Sequence, residues 1–140
     1  MVSIEELKIG TVIDIRDPYA FHDKHKYSII VGVSDDKFYI GTVFINSTVN
    51  ARAINSPSLV ALQHEILPSK YKYLRWQSYV DCSDLKDRVQ SSFLQEINDS
   101  GRILGTIAKD DLSAIIRLVL NAETIPSYYK NLCNVIQPVA

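Results

Sequence analysis

Residues 16–26, RDPYAFHDKHK, gather most of the side chains in this chain that could move protons or hold charge. His22, Asp23 and His25 are proton donors and acceptors, and Lys24 and Lys26 are cations beside them. A reaction at a phosphate or carbonyl needs a base, an acid and positive charge where negative charge develops. This segment supplies all of them, although a solvated surface loop can have the same composition.

Two further stretches extend the chemistry. Asn46, Ser47 and Thr48 follow an apolar run, and hydroxyls with backbone N–H groups at such a transition can hold phosphate oxygens. They are also ordinary turn residues. In KYKYLRW, residues 70–76, the cations Lys70, Lys72 and Arg75 are interleaved with the rings of Tyr71, Tyr73 and Trp76. Cations for phosphates and flat rings for bases suit single-stranded nucleic acid. A half-buried strand with a basic outer face would read the same way. Cys82 and Cys133 have no activating base nearby in sequence and no zinc spacing, and Asp81, Asp84 and His64 form no metal-ligand pattern. The spacing therefore calls for no metal or other cofactor.

These residues need elements to position them. Residues 10–16 (GTVIDIR), 27–33 (YSIIVGV) and 37–45 (KFYIGTVFI) read as strands. The near-continuous apolar run at 27–33 marks a central one. SDDK, 34–37, turns the second strand into the third as a hairpin. Antiparallel pairing sets the start of one hairpin strand beside the end of the other, which predicts that Lys26 lies near Ser47 and Thr48. Residues 46–58 read as loop, and 59–67 and 77–82 as further strands. From Ser83, a plausible N-cap, Leu85, Val89, Phe93 and Ile97 recur at helical spacing until NDSG, 98–101. RILGTI then reads as a short extended link. A second helix carries Leu112, Ile115, Ile116, Val119 and Leu120 on one stripe, with Asp110 and Asp111 in its first turn. A short third helix starts near Pro126. Strands followed by helices predict an α+β fold, with a small curved barrel over about 8–82 and a helical part over about 83–136 packed at one end.

The 140 residues fit one domain with a core of its own, and 46% hydrophobic with 22% charged residues is ordinary for a soluble protein. A net charge of −1 gives no global field for nucleic acid, so any such binding needs a local patch. MVSIEELKIG is not expected to be a signal peptide, no membrane span is expected, and the two cysteines are expected to be reduced in a cytoplasmic protein.

In order and pattern, HKYSIIVGV, FINSTVN, ILPS with SYVDCSDLKDRV, and GRILGTIAKDDLSAIIRLVL resemble successive blocks of the MazF/PemK/Kid toxin ribonucleases, over residues 8–121. Lys26 and Tyr27 stand where that family has arginine and proline. The resemblance implies an SH3-like barrel of mostly antiparallel strands with C-terminal helices, in a homodimer. It also implies metal-independent cleavage of single-stranded RNA by attack of the 2′-hydroxyl, and a cognate antitoxin protein as partner in a type II toxin–antitoxin system. By position, Lys26 would take the arginine's place, Ser47 and Thr48 would bind phosphate, and Asp23, His22 or His25 would move protons. A non-catalytic RNA-binding module and a protein-interaction module on the same barrel are the alternatives.

Overall fold

The computed structural model describes residues 1–16, 25–47 and 57–137. Strands β1 (Thr11–Arg16), β2 (His25–Val33) and β3 (Tyr39–Asn46) come first. Then follow helix α1 (Pro57–Val60), strands β4 (Gln63–Ile66), β5 (Ser78–Asp81) and β6 (Lys86–Val89), and helix α2 (Gln90–Ser100). Strand β7 (Arg102–Thr106) and helices α3 (Lys109–Asn121) and α4 (Ser127–Leu132) complete the chain. The protein is α+β. Every strand pairing among the described residues is antiparallel, in the order β4-β5-β3-β2-β1-β7, with β6 also on β3. These pairings do not join β4 to β7, so the sheet is not closed.

The hairpin forms as its sequence predicts. The Ser34 backbone N–H donates to the Tyr39 carbonyl and that of Lys37 to the Ser34 carbonyl. The Asp36 carboxylate accepts from Ser34 Oγ at 2.6 Å and from the Phe38 N–H at 2.9 Å. These bonds hold its pKa below the ordinary value, the Ser34 hydroxyl contributing most. Strand β2 is central and buried from Ser28 to Gly32. Its pleat sends Ile29 and Val31 into one core and Ile30 into another. The first core is completed by Ile115, Ile116 and Val119 of α3, the second by Phe93 and Ile97 of α2. Helices therefore cover both faces of the sheet rather than one end.

Other elements depart from the sequence reading. Residues 86–89 are a strand and not the first turns of a helix, because they pair with Tyr39–Thr42 of β3. Ser83 is not an N-cap. Its Oγ donates to Asp81 Oδ1 at 2.5 Å and its N–H to the same oxygen at 3.1 Å, a local turn that ends β5. Of the four residues spaced like a helix face, only Phe93 and Ile97 lie on α2. Leu85 is buried in the α3 core, and Val89 is partly exposed. Residues 59–67 divide between α1 and the four-residue β4. The 102–107 link is largely a strand on the free side of β1. Thus two strands lie within the stretch expected to be helical.

Candidate functional site

β1 and β2 pair Arg16 with His25, Ile15 with Lys26 and Asp14 with Tyr27. Alternation places Asp14 and His25 on one face, and His25 Nδ1 lies 3.2 Å from Asp14 Oδ1. The Asp14 side chain is 16% exposed and also has Arg102 Nε at 3.7 Å from its other oxygen, whereas His25 is 53% exposed. A histidine held at one ring nitrogen by a carboxylate has a fixed tautomer and a second nitrogen for proton transfer. Asp14 carries no motif that marks it in the sequence. The signal for it is its position in the first strand, which only the register brings to His25.

On the opposite face, Lys26 Nζ donates to Asn46 Oδ1 at 2.5 Å and stands 5.5 Å from the Phe44 ring centroid. Lys86 approaches the same ring at 6.0 Å and pairs with Asp84 at 2.9 Å. β2 and β3 pair Tyr27 with Ile45, which brings the chain just beyond β3 back to the start of β2. A cleft of about 370 Å3 opens at this end of the two strands, and His25, Lys26, Tyr27, Asn46 and Ser47 line it. Leu74, Arg75, Trp76 and Ser78 line it as well. Three stretches, 25–27, 45–47 and 74–78, thus form one cleft, with a histidine, two cations, hydroxyls and an exposed indole around it. Thr48, His22, Asp23 and Lys24 lie outside the described residues.

The KYKYLRW stretch is not a strand but a series of turns, and it divides in two. Lys70, Tyr71 and Tyr73 face α3 and the end of β7 rather than the cleft. Lys70 Nζ reaches Asp110 at 2.7 Å and Asp111 at 2.9 Å. The Tyr71 hydroxyl donates to Asp111 and accepts from the Ala108 N–H at 3.1 Å, while Tyr73 donates to the Thr106 carbonyl at 3.0 Å. His64 Nε2 bonds the other Asp111 oxygen at 2.8 Å. Burial pushes the Asp111 pKa up, but the bonds from Tyr71, His64 and Lys70 outweigh it and leave it below the ordinary value. Burial and Asp111 push the Tyr71 phenol up to about 12. Asp110 and Asp111 raise Lys70, and burial raises Tyr73. Lys72 is exposed and does not line the cleft.

Asp81 accepts from Gln63 Nε2 at 2.8 Å as well as from Ser83. Both cysteines are buried and free, and burial pushes Cys82 to about 12 and Cys133 to about 11. Among the described residues no helix is long and apolar enough to cross a membrane. The chain matches no protein-family model, and no curated protein matches it significantly.

Proposed function

We propose that this chain is a divergent MazF/PemK/Kid-type endoribonuclease that cleaves single-stranded RNA at the Lys26 cleft. The observation that carries the reading is the meeting of His25, Lys26 and Ser47 with Arg75 and Trp76 around one cavity. In this reading the antiparallel sheet, with β3 shared between β5 and β6, is an open variant of the SH3-like barrel. The chain acts in the cytoplasm as a homodimer, with an antitoxin protein as its partner in a type II toxin–antitoxin system. The patterned resemblance over residues 8–121 supports this part.

The chemistry follows from the groups available. A base takes the proton of a 2′-hydroxyl as its oxygen bonds to the adjacent phosphorus. The P–O5′ bond breaks and an acid protonates the leaving oxygen, giving a 2′,3′-cyclic phosphate and a 5′-hydroxyl. His25, oriented by Asp14, serves one proton transfer. Asp23 or His22 serves the other. Lys26 neutralises charge on the phosphoryl oxygens, and Ser47 and Thr48 donate hydrogen bonds to them.

The test is incubation of the purified chain with a long single-stranded RNA in EDTA, beside Lys26→Ala and Ser47→Ala/Thr48→Ala. Discrete fragments ending in cyclic phosphate, lost in the variants, are expected. Intact RNA with the wild-type chain overturns the reading. Induced expression should also arrest growth, and Lys26→Ala should relieve the arrest. One observation favours a second reading, a non-catalytic RNA-binding module. The Lys26 ammonium is already engaged by Asn46, and lysine lacks the planar fork with which arginine grips two phosphate oxygens. Salt-dependent RNA binding without product is its signature.

A further inference from the structure

Trp76 is the only tryptophan of the chain, and it stands 66% exposed on the wall of the cleft. Its surroundings make that exposure informative. Leu74 and Ser78, two positions to either side, are buried at 6% and 5%. Ser78 Oγ donates to the Trp76 carbonyl at 2.9 Å. Upstream, the Tyr73 hydroxyl is fixed on the Thr106 carbonyl and Tyr71 on α3. Downstream, Gln77 Nε2 bonds Glu65 Oε2 of β4 at 2.5 Å. The backbone that carries Arg75 and Trp76 is thus pinned on both sides, and both residues line the cleft. An exposed indole on a braced turn, next in sequence to an arginine that lines the same cleft, offers a stacking surface together with a group that can bind phosphate.

We infer that Arg75 and Trp76 grip one unstacked nucleotide, the indole stacking on its base and the guanidinium meeting its phosphate. The inference rests on the reading of the cleft as an RNA site and deepens it. It assigns the nucleic-acid contact to two residues of the seven in KYKYLRW and leaves Lys70, Tyr71 and Tyr73 to the fold. The cleft's volume of about 370 Å3 has room for about one nucleotide. A paired, stacked base offers its face to its neighbours and none to the indole, so the grip selects single strands.

Because Trp76 is the sole tryptophan, its emission reports the contact directly, without reference to catalysis. The probe is a short 2′-O-methyl single-stranded RNA, which lacks the attacking hydroxyl. The comparison probes are the same strand in a duplex and a backbone of abasic ribose phosphates. Saturable quenching by the single strand alone is expected. With a labelled single strand read by anisotropy, Trp76→Ala should weaken binding about 5- to 150-fold. Arg75→Ala should retain the quenching at saturation and reduce the salt slope by about 0.7. Unchanged emission at saturation, quenching by the abasic backbone, or equal affinity in Trp76→Ala overturns the grip. Quenching by a strand whose unmethylated form is never cleaved supports the grip and overturns the nuclease. Cleavage without quenching does the reverse, and absence of any binding overturns both.

Discussion

Asp111→Asn should destabilise the protein by about 3 kcal/mol, worked from three bonds at the start of α3. The carboxylate accepts from Tyr71, from His64 at 2.8 Å and from Lys70 at 2.9 Å. Lys70 is 42% exposed and keeps Asp110 at 2.7 Å, so its share is screened and small. The other two bonds count for more, because the Asp111 side chain is only 14% exposed and Tyr71 as a whole 5%. A hydrogen bond to a charged group contributes about 1.5–3 kcal/mol, and asparagine keeps a neutral acceptor for one partner, worth about 1 kcal/mol. The helix N-terminus loses a favourable charge of about 0.5 kcal/mol besides. Urea unfolding followed by circular dichroism should show a lower midpoint at unchanged slope. The pH dependence gives a second check. The folded-state pKa of Asp111 lies below its ordinary value, so its contribution is complete above that value and is lost as pH falls through the folded pKa. The gap between wild type and variant should therefore shrink in acid, as pH falls through the Asp111 pKa. Amide exchange should also rise at 72–77, the turn that Asp111 braces. A midpoint shift worth less than about 0.5 kcal/mol, or a gap unchanged in acid, would refute the reasoning.

The site and the core give three more expectations. His25→Ala should lower the rate of RNA cleavage about 10²- to 10⁴-fold, and Asp14→Asn should lower it less while altering the shape of its pH profile, as single-turnover assays would show. Phe93→Ala, at a residue only 1% exposed, should cost about 3–5 kcal/mol in urea unfolding. A Cβ on Gly32 would meet the Cys133 carbonyl oxygen at 2.3 Å and the Val135 side chain at 2.9 Å. Gly32→Ala should therefore displace the segment after α4, cost about 1–3 kcal/mol and open that segment to limited proteolysis.

Much of the frame was legible because local signals agreed with the fold. The run at 27–33 has too many consecutive apolar residues for a one-sided strand, and β2 is central, with a helix over each face of its sheet. The stripe of α3 ends with Ile115, Ile116 and Val119 buried. The signal at 83–97 misled because period four is shared by a helix face and by accident. Edge pairing with β3 took Lys86–Val89 into the sheet, where backbone bonds across 44 to 50 positions outweigh a local preference for helix. KYKYLRW misled differently. Its alternation of cations and rings looks uniform in sequence, yet turns send Lys70, Tyr71 and Tyr73 toward α3 and β7, and Arg75 and Trp76 toward the cleft.

By itself, the sequence determined the α+β class, the hairpin and the approach of Lys26 to the end of β3, because hydrophobic period and turn chemistry act over a few neighbouring residues. Only the tertiary structure decided that Asp14 stands beside His25, that Asp111 gathers Tyr71, His64 and Lys70, and that Arg75 and Trp76 complete the cleft. Those neighbours are 11 to 51 positions apart. No residue carries a mark of its distant partner. Strand register and the burial of two cores on opposite faces of one sheet choose it.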